Sequence, residues 1–110
     1  MMEETLISLV DRFNRRVKEN PGVQEDLQGK DRVIHLTFVE GESFTLELKG
    51  GHLSPPRTGN GGPADVKVVV DEKTFRDLLS REIGPIKALY SGRLRIDASF
   101  EDKLLLRKLF

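Results

Sequence analysis

The spacing of the apolar residues changes from a helical to a strand period near residue 33, and no other feature of the chain constrains its fold as strongly. Over residues 6–17, apolar side chains recur at three- and four-residue intervals, which is typical of an amphipathic helix. Over residues 33–39 and 43–49, apolar and polar side chains alternate, which is typical of strands with one buried face. Glu40-Gly41-Glu42 separates these two runs, so the sequence predicts an antiparallel hairpin.

The segments on either side of this hairpin are rich in residues that end regular structure. Asn20-Pro21-Gly22 predicts the end of the first helix, because proline disfavours helix in the residue before it. A polar connection is expected over residues 24–31, and His52-Leu53-Ser54 is predicted as a short edge strand. Residues 55–63 contain three prolines and three glycines, so we expect only a surface loop there.

A valine-rich run over residues 64–70 predicts a further strand, buried near the centre of the sheet. Asp71 is suited to cap the helix that follows, since its carboxylate can accept a hydrogen bond from a free backbone N–H group. The apolar side chains that this helix and its end are expected to bury are Phe75, Leu78, Leu79 and Ile83.

Gly84-Pro85 predicts the start of a second, short helix, because proline suits the first helical position. Its predicted apolar face is formed by Ile86, Leu89 and Tyr90, and its predicted end is Gly92. Residues 93–98 alternate again, with Leu94, Ile96 and Ala98 expected to point inward.

Ser99-Phe100-Glu101-Asp102 resembles a capping box, from which a last helix is predicted to run to Phe110. The order of elements predicts one α+β domain over residues 1–110, with an antiparallel or mixed sheet and helices on one face.

Composition excludes several classes of function. Eighteen basic and eighteen acidic residues give no net charge, so we expect no basic face for nucleic acid. The chain has no cysteine and two histidines, which leaves little for thiol chemistry, a metal site or a catalytic triad. No run approaches the roughly 20 apolar residues of a membrane span, so we expect no stable membrane insertion. The acidic start of the chain predicts no secretory signal.

The residues that could carry chemistry each have a structural interpretation. His35 is expected to be a solvent-facing or hydrogen-bonded strand residue, and His52 a turn residue. Residues 59–62 resemble a phosphate-binding loop in composition, but they precede a strand, whereas such a loop opens a helix. Glu101 and Asp102 fall in the first turn of a helix, where carboxylates stabilise the helix dipole. The sequence therefore predicts no catalytic residues, no metal and no cofactor.

The last helix carries more apolar surface than one buried stripe requires. Its apolar residues are Phe100, Leu104, Leu105, Leu106, Leu109 and Phe110. Three successive leucines span about 200° of a helix at 3.6 residues per turn. Two interpretations remain open from periodicity: a well-buried terminal helix, or a helix shared between the core and a surface that faces a ligand or a partner.

The order of motifs resembles the sterol carrier protein type 2 domain. Residues 64–75 are similar to the strand-to-helix passage of that family, and residues 83–96 follow them as in the family. The specific part is the spacing of Pro85, Ala88, Gly92, Leu94 and Ile96. The resemblance extends over nearly the whole chain.

The resemblance implies a five-stranded sheet covered by helices, with an apolar tunnel between the sheet and the helices. It implies non-catalytic binding or transfer of a lipid, such as a fatty acid, an acyl-CoA, a sterol or an isoprenoid-like lipid. The candidate residues of the tunnel wall are Leu36, Phe38, Phe44, Leu46, Val68, Phe75, Leu78, Leu79, Ile83, Leu89, Tyr90, Leu105 and Leu109.

The alternative is an interaction module, in which the last helix docks an enzyme partner or a second copy of the chain and no functional lipid cavity exists. An enzyme is disfavoured because the chain offers no nucleophile and base as a set. The C-terminal residues lack a Ser-Lys-Leu-type peroxisomal address, so the expected location is the cytoplasm.

Overall fold

The computed structural model describes residues 2–109 of the chain, with side chains described as far as residue 107. The helices in this range are α1 (Met2–Glu19), α2 (Pro21–Leu27), α3 (Glu72–Leu79), α4 (Pro85–Tyr90) and α5 (Phe100–Leu109). The strands are β1 (Arg32–Phe38), β2 (Ser43–Lys49), β3 (His52–Leu53), β4 (Arg57–Thr58), β5 (Val66–Val70) and β6 (Leu94–Asp97).

The strands form one mixed sheet in the order β3-β2-β1-β5-β6, and β4 also pairs with β2. β1 runs antiparallel to β2 and parallel to β5, while β6 runs antiparallel to β5. Because β3 and β4 pair with different parts of β2, the sheet is five strand positions wide although it contains six strands. The predicted α+β class with a mixed sheet is confirmed.

The predicted hairpin forms between β1 and β2, with Leu36 opposite Phe44 and Ile34 opposite Leu46. Strand β5 lies between β1 and β6, so the prediction of a central valine-rich strand is also correct. The predicted edge strand is present as β3.

One hydrophobic core joins the helices to one face of the sheet. Met2, Leu6 and Val10 of α1 are buried in the same cluster as the apolar strand residues. The Phe38 ring of β1 meets the Phe75 ring of α3 edge to face, with ring centroids 5.2 Å apart. Such aromatic pairs add to the stabilisation from buried area, so α1 and α3 are both fixed on this face.

A second helix replaces the polar connection that was predicted over residues 24–31. The first helix ends at Glu19 as predicted, but Pro21 then begins α2, in the first-turn position that suits proline. The Asn20 side chain caps α2 by accepting a hydrogen bond from the Val23 N–H group at 3.3 Å. Val23 and Leu27, four residues apart, are buried, and this short apolar stripe was overlooked.

The prediction that residues 55–63 form only a loop is wrong at Arg57–Thr58, which pairs with β2 as β4. The prolines of this segment stand at positions 55, 56 and 63, so they leave the backbone groups of residues 57 and 58 free to pair. Short strands of this kind follow from the local position of each proline, not from the proline count.

The helix caps that the sequence predicted are present. The Asp71 side chain accepts a hydrogen bond from the Thr74 N–H group at 3.0 Å and begins α3. The Ser99 hydroxyl accepts one from the Asp102 N–H group at 3.1 Å and begins α5. Gly92, predicted to follow α4, has a positive φ of 78°, a backbone conformation that glycine adopts at little cost.

Candidate functional site

Cross-strand pairing shows which residues share the apolar face of the sheet. Leu36 of β1 is in register with Phe44 of β2 and with Val68 of β5. Val68 is in register with Ile96 of β6. Because residues in register point to the same side of a sheet, these four side chains form one row across the face that the helices cover.

The helices cover this row unevenly. Leu36 and Phe44 are buried, whereas Val68 and Ile96 are only half-buried, and so is Ile34. Strand β5 has neighbours on both sides, so the exposure of Val68 comes from an opening in the helical layer above it. We call this opening, over Ile34, Val68 and Ile96, the apolar groove.

Four further predicted wall residues lie in the same apolar layer. They are half-buried and pack against the hydrophobic core from α3, from the segment after it and from α5. These residues are Leu78, Leu79, Ile83 and Leu105. Together with Val68 they are the predicted wall residues that pack in the apolar layer and retain some exposure.

Five other predicted wall residues are fully part of the core. They are Leu36, Phe38, Phe44, Leu46 and Phe75. For the four of these residues that lie on β1 and β2, the alternation in the sequence identified the buried face of the sheet correctly. It gave no information on how closely the helices cover each half of that face. For the same reason the prediction did not include Ile34 and Ile96 as residues beside an opening.

The predicted inward face of α4 is wrong. Ala88 is the buried residue of this helix, while Leu89 is 43% exposed and Tyr90 is 89% exposed. α4 packs on β6 through its smallest apolar residue, so its larger side chains point away from the sheet. Leu89 and Tyr90 are not among the apolar residues that pack against the core. The last predicted wall residue, Leu109, has a side chain outside the described part of the chain.

Two ion pairs attach the first turn of α5 to the start of β1. The Arg32 Nε atom donates hydrogen bonds to both carboxylate oxygens of Asp102, at 2.8 and 2.9 Å. Lys30 forms an ion pair with Glu101. The hydrogen bond to Asp102 raises the pKa of Arg32, and the hydrogen bond from Lys30 lowers the pKa of Glu101.

The sequence assigned Glu101 and Asp102 to a capping box and to the helix dipole but not to these ion pairs, because nothing in local spacing connects residues that are 70 or 71 positions apart. The rest of α5 carries exposed apolar surface: Phe100 is 76% exposed and Leu104 is 45% exposed. The helix is thus fixed at its first turn by polar contacts and leaves apolar side chains uncovered.

The opposite face of the sheet is polar and lies away from the groove. The chain crosses it after β4: Thr45 Oγ1 donates a hydrogen bond to the Gly59 carbonyl at 2.7 Å, and Asn60 Nδ2 donates one to Thr37 Oγ1 at 3.4 Å. The prediction for His35 is wrong: its side chain is buried on this face, and its Nε2 atom has no hydrogen-bond partner among the described residues. Residues 59–62 therefore form part of a crossover and not a helix-opening phosphate loop.

The two cavities found among the described residues share no lining residue with the apolar groove. One, of about 620 Å³, lies between α1, α2 and the turn before β3, where Asn14, Gln24 and His52 are among its lining residues. The other, of about 340 Å³, is lined by Arg12, Arg15, Arg16, Glu19 and Asn20.

Asn14 joins α1 to the edge of the sheet. It accepts a hydrogen bond from the Leu53 N–H group at 2.8 Å and donates one to the Leu53 carbonyl at 2.9 Å. Among the described residues, no helix has the length and apolar character needed to cross a membrane. The same residues contain no cluster of three or more histidine, aspartate or glutamate side chains that could hold a metal ion.

Comparison with solved structures identifies the same fold in several proteins. Ubiquinone synthesis protein UbiJ-SCP2 superposes with a TM-score of 0.66 at 16% identity, over 96% of this chain and 87% of that one. Sterol Carrier Protein 2 Like 2 from Aedes aegypti gives a TM-score of 0.60 at 17% identity, over 96% of this chain and 97% of that one.

A larger protein contains the fold as a part. The stereoselective inverting sec-alkylsulfatase Pisa1 from Pseudomonas sp. gives a TM-score of 0.63 at 23% identity, over 78% of this chain, and this chain spans only 13% of its length. At these identities the likeness concerns the fold alone. No curated protein matches the sequence at a significant level.

The sequence itself gives the family. The profile of the SCP-2 sterol transfer family matches residues 10–109, which include the second half of α1 and all the helices and strands that follow it. The chain therefore belongs to the SCP-2 sterol transfer family.

Proposed function

We propose that the protein binds one long-chain lipid in the apolar groove and performs no chemistry on it. Membership of the family implies lipid binding or transfer. The observation that carries the proposal for this chain is the partial exposure of Val68 on the interior strand β5, beside Ile96, its partner in register on the edge strand β6. Apolar side chains on an interior strand are normally covered by other residues, so an opening over Val68 is suited to an apolar ligand.

The groove is suited to the hydrocarbon chain of a lipid and not to its polar headgroup. Its floor residues, Ile34, Val68 and Ile96, are all aliphatic, and aliphatic burial is non-directional, so several acyl or isoprenoid chains should fit. Burial of ten methylene groups gives about 8 kcal/mol before the cost of association is subtracted. That gross value corresponds to a Kd of about 1 μM, so micromolar is the tightest affinity that ten methylene groups would give.

The two histidines do not bear on the groove. His35 lies on the opposite face of the sheet, and His52 lies at its edge beside Asn14, at 3.3 Å. Binding without catalysis is the simplest use of a site whose floor and walls are aliphatic.

The test is to introduce a large side chain on the floor of the groove, so that the space for a lipid is lost. Ile96→Trp places a large ring over β6 and should weaken binding of a fluorescent fatty acid by roughly tenfold or more. Arg95→Trp is the matched control, because Arg95 is the neighbouring residue of the same strand and is exposed on the other face. Circular dichroism would confirm the fold of both variants. Equal binding by the folded Ile96→Trp variant and the unmodified protein would contradict the proposal.

A second candidate function rests on the exposed apolar residues of α5. Phe100 and Leu104 are exposed, which is the surface that an interaction module would use. Native mass spectrometry and analytical ultracentrifugation separate the two candidates. A monomer that carries co-purified lipid supports the lipid carrier, whereas an empty protein in a tight dimer supports the interaction module.

A further inference from the structure

The outward face of α4 is more apolar than its inward face, and lipid binding in the groove does not account for this reversal. Ala88 belongs to the buried core, whereas Ile86 is 51% exposed and Tyr90 is 89% exposed. At about 100° per residue, Ile86 and Tyr90 lie on the side of the helix opposite Ala88. A helix that buries its smallest apolar residue and exposes its larger ones presents an apolar surface to something outside the domain.

Cationic side chains lie beside the exposed apolar residues Ile86 and Tyr90 of α4. Leu89 lies on one side of these two residues and Lys87 on the other, and Arg93 follows the end of the helix. Lys87 and Arg93 are exposed, and neither forms an ion pair with another described residue. The face therefore combines exposed apolar groups with Lys87, which forms no ion pair with a described residue, and it ends near Arg93, whose charge acts on the Asp71 carboxylate from beyond ion-pair distance.

We propose that α4 docks on the surface of an anionic lipid bilayer, with Ile86, Leu89 and Tyr90 entering the headgroup region and Lys87 and Arg93 contacting lipid phosphates. Tyrosine has an apolar ring and a polar hydroxyl, a combination enriched at the membrane–water interface. Lysine and arginine are attracted to the negative potential of anionic lipids. The six residues of α4 are few beside the roughly 20–30 residues that each side contributes to a stable protein interface.

This inference rests on the proposed function and adds the source of the lipid. α4 packs on β6, the strand that carries Ile96 of the groove floor, and half-buried Ile83 lies two residues before α4. Docking through α4 would bring this side of the groove close to the bilayer. A lipid could then move between the bilayer and the groove with little exposure of its chain to water.

Tyr90 is a built-in reporter for the experiment. The chain contains one tyrosine and no tryptophan, so its tyrosine fluorescence comes from this one side chain. The probe is a vesicle of phosphatidylcholine with about a third phosphatidylglycerol and a trace of lipid that bears a nitroxide near the headgroup. We expect the nitroxide to quench Tyr90 fluorescence in these vesicles and to quench it little in vesicles of phosphatidylcholine alone.

Two pairs of variants test the residues. Ile86→Ser/Leu89→Ser retains Tyr90 and should weaken vesicle partition by about tenfold. Ile7→Ser is its control, since Ile7 is 44% exposed on α1, a different helix. Lys87→Glu should weaken partition to the anionic vesicles, and Lys49→Glu, an exposed lysine on β2, should not.

Three results would overturn the docking proposal: no quenching with anionic vesicles, equal loss of partition in the Ile7→Ser control, or a solution dimer that Ile86→Ser/Leu89→Ser dissolves. The last result would make α4 a protein interface. Binding of a fluorescent fatty acid without vesicles tests the proposed function separately. If the unmodified protein does not bind the fluorescent fatty acid, the proposed lipid binding is refuted. If it binds the fatty acid but does not partition to vesicles, only the docking of α4 is refuted.

Discussion

Arg32 and Asp102 connect the first strand to the last helix: the guanidinium Nε atom lies 2.8 and 2.9 Å from the two carboxylate oxygens. The Asp102 side chain is 6% exposed and that of Arg32 is 23% exposed. Truncation of either residue would leave the other charge poorly solvated and without its partner. The contact therefore holds the first turn of α5 against the start of β1.

Asp102→Ala is expected to lower the free energy of unfolding by about 1–3 kcal/mol, because it leaves the Arg32 guanidinium unpaired. The double variant Arg32→Met/Asp102→Leu should lose less than the two single changes combined. Urea unfolding measures both quantities.

The neighbouring ion pair provides a control for this prediction. Glu101→Gln breaks the contact with Lys30, and the Glu101 side chain is 64% exposed, so solvent should reduce the effect to well below that of Asp102→Ala. Equal losses for the two variants would show that burial of Asp102 has no special role.

Asp71 is expected to make stability fall in acid. The hydrogen bonds that it accepts from the side chain and backbone of Thr74 lower its pKa in the folded protein. The unfolded chain therefore takes up this proton first as the pH falls, and the stabilisation, fully present above the usual aspartate pKa of about 3.9, is lost as the pH drops through the lowered value. Urea unfolding at about pH 6 and about pH 3 should show a smaller fall for Asp71→Asn than for the unmodified protein. Equal falls in the two proteins would refute the assignment.

We expect α5 to act as a movable cover of the apolar groove. Leu105→Asp places a carboxylate against the core, which is unfavourable unless the helix moves outward. Lipid affinity should then fall while most of the circular dichroism signal remains. Leu104→Asp is the matched control, because Leu104 is exposed on the same helix. Complete unfolding of Leu105→Asp would show instead that α5 is an integral part of the core, and unchanged affinity in a folded variant would show that it is no cover.

Neither histidine is expected to take part in lipid binding. His35→Ala removes a side chain that faces away from the groove, and His52→Ala removes one at the sheet edge. Titration with a fluorescent fatty acid should give affinities within about threefold of the unmodified protein for both variants. An esterase activity that is present in the unmodified protein and lost in either variant would contradict non-catalytic binding.

Local patterns in the sequence predicted most of the helices and strands. The contacts between residues far apart in the chain could not be predicted from these patterns. The alternation around Leu36 and Phe44 gave the hairpin, and Asp71 gave the start of α3, because each depends on neighbours a few residues away. The short helix α2 was overlooked because two apolar residues are too few to establish a helical period.

The candidate site depended on information of a different kind. The pattern placed Val68 on the apolar face but could not show that the helices leave it half-exposed. The orientation of α4 was mispredicted because a period identifies an apolar stripe without showing that Ala88, and not Tyr90, makes the closest approach to the sheet. Contacts such as that between Arg32 and Asp102 depend on the assembled sheet, since no local pattern connects them.

The outer edge of β2 has a consequence for aggregation. β3 pairs with one end of this edge and β4 with the other, while Ser54 binds the Glu47 backbone between them. Pro55 and Pro56 interrupt the covering segment, and proline offers no N–H group to a further strand. An incoming chain therefore meets no long continuous strand at this side of the sheet, which is how natural proteins prevent edge-to-edge growth into fibrils.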